Sequence, residues 1–242
     1  QTELIWETLY KETFWGQNGG PVIFSAISAL DVALWDIKGK YFNVPLYQLL
    51  GGKVRDKLRC YASQLQFGWG EKKTPAVTIE DYVNNAKKAV AEGYDAIKID
   101  FFTFDEEGRR LNHEDTTRLL PPKYVNMVIN RLAAVREAVG PDVDIIMENH
   151  SYIDAQVAVQ LGRLAEKYNI FCFEEPCTPN PKMNKYVHDQ LKTKCNRYNS
   201  NYRTYRSSRR HSNKCRDYKH TCCHKLRWNH RDKEGVRPCS HL

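Results

Sequence analysis

Val143-Asp144-Ile145-Ile146-Met147-Glu148 is the stretch that decides the fold: a short apolar run that ends on a carboxylate. The segment before it, 122–139, carries Val125, Val128, Leu132 and Val135 at helical spacing and closes at Gly140-Pro141. The segment after it, 153–168, carries Val157, Leu161 and Leu164 and reads as a second helix. Ile170-Phe171-Cys172-Phe173-Glu174 then repeats the strand pattern. Upstream, Arg59-Cys60-Tyr61-Ala62-Ser63 and Ala96-Ile97-Lys98-Ile99-Asp100 are strands. Between them Thr78 caps a helix with Ile79, Val83, Ala86 and Val90, and Gly93 ends it. Strands alternating with helices predict a parallel sheet joined by crossover helices.

These strands begin apolar and end polar, on Lys98 and Asp100, on Glu148, and on Glu174-Glu175. Polar groups at the C-terminal ends of parallel strands converge at one mouth, where βα-barrel sites lie. Strand ends are often charged simply because they are exposed, but carboxylates on successive strands repel unless a cation neutralises them. An oxygen-rich set of this kind suits Mg²⁺.

The first fifty residues have a different texture. Residues 2–14 predict a helix rich in aromatics, and Ser25 is placed to cap the next one. Ile27, Leu30, Leu34 and Ile37 give that helix an apolar stripe, with Ala26, Ala29 and Ala33 allowing close packing. A short segment from Pro45 to Leu50 stops at Gly51-Gly52.

The chain has 242 residues, enough for one large domain or two ordinary ones, and a net charge of +8. The charge is not spread evenly. Residues 191–242 hold 15 Lys and Arg against 3 Asp and Glu, while residues 1–190 hold 22 against 26. The basic tail also takes five of the eight Cys and five of the eight His, with only four Leu, Ile, Val or Met. That composition cannot bury an ordinary core. No apolar stretch approaches the roughly 18 residues of a membrane-spanning helix. The start, Gln1-Thr2-Glu3, shows no secretory signal and no initiator Met, so a cytoplasmic protein whose chain begins inside a longer reading frame is expected. Cys60, Cys172 and Cys177 lack ligand spacing and read as thiols of a reduced compartment.

Several motifs together resemble one family. Ser25-Ala-Ile-Ser-Ala-Leu-Asp-Val-Ala-Leu-Trp-Asp-Ile-Lys-Gly-Lys40 is similar to the capping-domain helix of the mandelate racemase and muconate lactonizing branch of the enolase superfamily. Pro45-Leu-Tyr-Gln-Leu-Leu-Gly-Gly52 resembles the segment leading into its barrel, and Gly93-Tyr-Asp-Ala-Ile-Lys-Ile-Asp100 its Lys-x-Lys strand. Phe173-Glu-Glu-Pro176 resembles its fourth-strand metal motif, and Glu148 and Glu174 stand 26 residues apart, as the family's first two metal ligands do. The resemblance implies an α/β protein: a partial (β/α)8 TIM-like barrel over 53–190, preceded by the helical part of an α+β capping domain over 1–52. It also implies abstraction of the proton α to a carboxylate, with Mg²⁺ stabilising the enediolate. Glu148 and Glu174 would then be metal ligands, and Lys98 would sit against the substrate carboxylate or act as an electrophile.

Two residues narrow the reading within the family. Asp100 replaces the second Lys of the motif, which argues against two-base racemisation. His150, two positions beyond Glu148, matches the general acid of galactonate- and mannonate-type dehydratases, where it protonates the departing 3-hydroxyl; an imidazole suits that role near neutral pH. The candidate catalytic set is therefore His150, Lys98 and Asp100. The long 101–121 stretch, with Phe101, Phe102, Arg109, Arg110 and His113, either covers the mouth or is a solvated loop. Gln64, Phe67 and Trp69 are placed to line the pocket after the first strand. Substrate contacts are thus expected from Gln64, Trp69, Arg109 and His113. The implied partner is a small sugar acid, and intact relatives are expected to be homo-oligomers. A racemase, epimerase or cycloisomerase on the same scaffold is the alternative.

Past Leu191 the resemblance is not readable. The family's third metal ligand and its Asp-His base dyad are expected there, so a chain without them is expected to be inactive and poorly soluble. A one-base shift through Arg227–Leu242 permits Gly-Gly-Ile-Thr-Glu-Ile-Lys-Lys-Val-Cys-Asp-Leu-Ala-His-Ile, similar to the family's sixth strand-to-helix segment. The tail, 191–242, is accordingly expected to be out of frame and disordered. The competing expectation is a nucleic-acid-binding tail, with Tyr198, Tyr202, Tyr205 and Tyr218 among its basic residues, or a zinc site; the Cys and His spacing supports zinc only weakly.

Overall fold

The computed structural model describes residues 2–71, 73–116, 119–193 and 195–196. They form two compact units, which divide between Arg59 and Cys60.

The first unit is helical: α1 (Thr2–Lys11), α2 (Phe14–Asn18), α3 (Pro21–Phe42) and α4 (Leu46–Leu49). The expected helix over 2–14 stops at Lys11, and a short second helix follows it. Ser25 does not cap α3. The helix begins a turn earlier, with Pro21 as its first residue after Gly20, because proline's fixed φ suits a first turn that needs no N–H. Asn43 closes α3 in the left-handed conformation, and its N–H bonds back to Lys40. The predicted stripe is only partly covered: Ile27 is buried, whereas Leu30 and Ile37 are 51% and 62% exposed.

The second unit is a parallel sheet in sequence order, β1-β2-β3-β4-β5. Its elements are β1 (Ala62–Ser63), α5 (Ile79–Ala91), β2 (Ala96–Ile99), α6 (His113–Thr116), α7 (Pro122–Val139), β3 (Asp144–Glu148), α8 (Ala155–Ala165), β4 (Cys172–Glu174), α9 (Pro181–Gln190) and β5 (Cys195–Asn196). Thr78 caps α5 as predicted. Its hydroxyl accepts from the N–H of Asp81, whose carboxylate accepts in turn from the N–H of Thr78. The bounds of α7 match the sequence reading at both ends.

Every residue of β2 and β4 is buried, as expected of parallel strands covered on both faces. Ile97, Ile99, Ile145, Met147 and Phe173 pack in one core with Val128, Leu132 and Val135 of α7 and Val157 and Leu161 of α8. The alternate positions, Lys98, Ile146, Glu148, Cys172 and Glu174, fall on the other face. Register aligns Lys98 with Ile146, and Glu148 with Glu174. Because Ile99 pairs with Met147, Asp100 comes level with both glutamates.

β5 pairs with β4 in parallel, so the sheet runs past Leu191, where the basic tail was expected to begin. The remaining tail, 197–242, with the frame shift, nucleic-acid and zinc expectations placed on it, lies outside the described residues. No helix of the described residues is long and apolar enough to cross a membrane. Cys60, Cys172 and Cys177 carry thiols rather than disulfides.

Candidate active site

The chain turns sharply where the strands end. Gln64 after β1, His150 and Ser151 after β3, and Glu175 after β4 all have positive φ, between 44° and 63°. Non-glycine residues pay for that conformation, and such strain collects at functional sites. Asn43 and Asn169, the other two such residues among those described, terminate helical turns, where asparagine tolerates it.

At this edge three strands contribute one ionic cluster. Lys98 Nζ lies 3.1 Å from Glu148 Oε2 and 3.3 Å from Glu174 Oε2, and all three side chains are buried. Burial works against the charged Lys98 ammonium, but the two carboxylates outweigh it and its pKa is raised. Burial also dominates at Glu148 and raises its pKa, against the pull of Lys98 and His150. Tyr61 stacks beneath the ammonium, 5.5 Å from Nζ to the ring centre.

His150 joins the cluster from the side. Its Nδ1 is 2.7 Å from Asp100 Oδ2, and its Nε2 is 3.5 Å from Glu148 Oε1. Burial opposes a charged imidazole, but the hydrogen bond and charge of Asp100, followed by Glu148 and Glu175, raise its pKa. Asp100 is itself pinned: Oδ1 accepts from the N–H of Phe102 at 2.8 Å, and its own N–H donates to Gln66 Oε1 at 3.3 Å.

A small pocket of about 60 Å³ opens beside this pair, lined by Asp100, Phe102, Arg110, Asn149, His150 and Tyr152 among others. Asn149 is buried, and neither atom of its side-chain amide has a hydrogen-bond partner among the described residues.

The structure thus brings together Lys98, Asp100, Glu148, His150 and Glu174. Other predicted positions lie elsewhere. Trp69 Nε1 donates to Glu92 Oε2 at 2.9 Å, and its ring meets Tyr94 edge-on, so it packs where α5 ends and before β2 begins. Arg109 is turned into its own loop, held by Asp105, Asp115 and the Tyr124 hydroxyl, while the next residue, Arg110, faces the pocket. Phe101 is in the core against Tyr82, whereas Phe102 lines the pocket, as does Phe67, which was expected there. Gln64 forms the tight turn after β1. His113 opens α6, and its side chain lies outside the described residues.

Sequence reasoning missed Arg131. Its guanidinium is buried and donates to the carbonyls of Phe101, Phe104, Val77 and Asp105 at 2.6 to 3.2 Å, over the ring of Tyr82. It ties down the loop that follows Asp100. The signal was present, since Arg131 falls beside Leu132 and Val128 on the stripe of α7 that should be apolar.

Among the described residues, no group of three or more His, Cys, Asp or Glu side chains could hold a metal ion. Glu148 and Glu174 nevertheless fit as two ligands of a hard divalent cation. Both are oxygen donors, they sit side by side in register, and their carboxylates already close on a positive charge.

A parallel βα unit with acidic and basic side chains gathered at its strand ends defines a barrel-type enzyme scaffold. The family described as enolase C-terminal domain-like matches residues 81–195, and the N-terminal domain of mandelate racemase / muconate lactonizing enzyme matches residues 1–51. The chain is 33% identical over 202 residues to a D-galactonate dehydratase family member of Marinomonas, covering 77% of this chain and 46% of that protein. It is 34% identical over 186 residues to a D-mannonate dehydratase of Caulobacter, covering 72% and 43%. A solved member of the enolase superfamily from Salmonella Typhimurium superposes with a TM-score of 0.75 at 49% identity, covering 80% of this chain and 50% of that one. The chain therefore belongs to the mandelate racemase and muconate lactonizing branch of the enolase superfamily, and its parallel sheet is part of that superfamily's TIM-type barrel. It spans less than half the length of these two curated relatives.

Proposed function

We propose that this chain carries the acid side and two metal ligands of a Mg²⁺-dependent sugar-acid dehydratase, a lyase that removes the proton α to a carboxylate and expels the 3-hydroxyl. The observation that most supports this reading is the in-register pair Glu148 and Glu174, closed on Lys98, with His150 Nε2 3.5 Å from Glu148. Glu148 and Glu174 would hold the ion, and a bound Mg²⁺ would supply Lewis-acid stabilisation of the charge that develops beside the substrate carboxylate. Lys98 offers that carboxylate an ammonium. His150 holds a proton for the departing hydroxyl, and Asp100, followed by Glu148 and Glu175, raises its pKa against burial. Asp100 stands where a second Lys base would be needed for racemisation. Arg110, Asn149 and Tyr152 supply polar groups to the hydroxyls of the sugar chain.

The third ligand and the base that the family resemblance implies have no counterpart among the described residues. The 242-residue chain by itself is therefore expected to bind Mg²⁺ and give no turnover. The test incubates it, and a version extended to full barrel length, with D-galactonate and D-mannonate in deuterated buffer containing Mg²⁺. A 2-keto-3-deoxy acid is expected from the extended protein alone. An epimer carrying solvent deuterium, with no keto acid, would overturn the lyase reading; keto acid from the 242-residue chain would overturn its inactivity.

A further inference from the structure

Asp100 and His150 are fifty residues apart in sequence, yet theirs is the shortest side-chain contact in the site, at 2.7 Å. A carboxylate is acceptor-only, so this contact places a proton on Nδ1. The carboxylate cannot swing away. It is 3% exposed, its other oxygen is taken by the Phe102 N–H, and the adjoining backbone is held by the buried Gln66. Arg131 fixes the same loop from beneath through the carbonyls of Phe101 and Phe104. The other ring nitrogen, Nε2, makes no short hydrogen bond among the described residues and lies 3.5 Å from Glu148 Oε1.

We propose that Asp100 is a positioning residue: it holds His150 as the Nδ1–H tautomer and so presents Nε2, and only Nε2, to the reacting end of the substrate. This deepens the dehydratase reading and rests on it for the identity of the reaction. In that reaction the Nε2–H bond breaks and its proton passes to the 3-oxygen. As water leaves, the C3–O bond breaks and the electron pair left at C2 by the removed α-proton forms the C2=C3 double bond, while Nε2 keeps the pair of its own N–H bond. The neutral imidazole that remains is the Nδ1–H form, which Asp100 already stabilises, so no further proton shift is needed.

The wild-type chain, labelled with ¹⁵N in its eight histidines, is examined by two-bond ¹H–¹⁵N correlation at about pH 9, where imidazole is ordinarily neutral. The His150 signals are identified by their loss in His150→Gln. The expected pattern is a protonated Nδ1 and a bare Nε2. Asp100→Asn is expected to invert it. The Phe102 N–H retains the amide oxygen, so the amide NH₂ faces Nδ1 and forces the proton to Nε2. A merely structural role for Asp100 would not move the tautomer. A bare Nδ1 in the wild-type chain overturns the proposal, as does a tautomer that the substitution leaves unchanged. Should Asp100→Asn fail to fold, the wild-type spectrum decides alone. Failure of the dehydratase reading appears in the product assay and leaves the tautomer where it was.

Discussion

Replacing Lys98 by Met keeps the volume of the side chain and removes its charge, which makes it the sharpest test of how the cluster is held. At an effective dielectric of about 20, unit charges at the observed 3.1 and 3.3 Å attract by roughly 5 kcal/mol per pair. Part of that attraction only offsets the desolvation of the ammonium, so the expected loss on removing one partner of a buried ionic group is about 3–5 kcal/mol. The loss depends on pH. The Glu148 pKa is already raised by burial against the pull of Lys98 and His150. Without Lys98 it rises further, and a carboxyl whose folded-state pKa is raised favours the folded state as pH falls. The deficit should therefore be largest near neutral pH and shrink in mild acid. It should also shrink in Mg²⁺, because the ion replaces the missing positive charge: at a hundredfold excess over its dissociation constant it would return about 2.7 kcal/mol. The assay is urea denaturation of wild type and Lys98→Met, with and without Mg²⁺, at neutral and mildly acidic pH. Equal midpoints, or a variant no more responsive to Mg²⁺ than the wild type, would refute the claim that the ammonium neutralises the two glutamates.

Arg131→Leu should cost at least about 3 kcal/mol, because four carbonyls lose a charged donor, and protease should then cut first within 101–116; chemical denaturation and limited proteolysis read the two effects. Thr78→Ala removes one half of the capping box and should cost about 1 kcal/mol in the same denaturation assay, with no change in Mg²⁺ affinity. His150 has a raised folded-state pKa, so its contribution is complete below the unfolded value of 6.5 and is lost as pH rises through the folded value. The stability difference between wild type and His150→Gln should accordingly be greatest in mild acid and vanish in alkali. A difference that grows with pH would mean that Asp100 is not what charges the ring.

The alternation of helix and strand was legible because each element is local: apolar runs of four to six residues, a capping Thr78 and stopping glycines. The ionic cluster was legible for a related reason. A parallel sheet has one C-terminal edge, so Lys98, Asp100, Glu148 and Glu174, each at or next to the end of a strand, must share it. The loop contacts were not legible, because neighbours in sequence point in opposite directions once a loop folds. Arg109 turns inward to Asp105 and Asp115 while Arg110 takes the pocket, and nothing in the order Arg-Arg decides between them. Trp69 was misplaced for the same reason. Its indole N–H found Glu92, a partner 23 residues away that no local pattern points to.

The exchange of a Lys for Asp100 and the presence of His150 belong together. A Lys at position 100 would set an ammonium against the imidazole, and two cations at contact distance would drive the imidazole neutral. With Asp100 the same place attracts the proton instead, and the ionisable groups alternate in sign from Asp100 through His150 and Glu148 to Lys98 and Glu174. The chain of contacts is continuous, so a change of charge at either end reaches the middle. Asp100→Asn should therefore lower the His150 pKa directly, and Lys98→Met should raise it by leaving Glu148 without its ammonium. Titration of the His150 ring signals in the two variants would show shifts of opposite sign. Shifts of the same sign would mean that Glu148 does not couple the two ends.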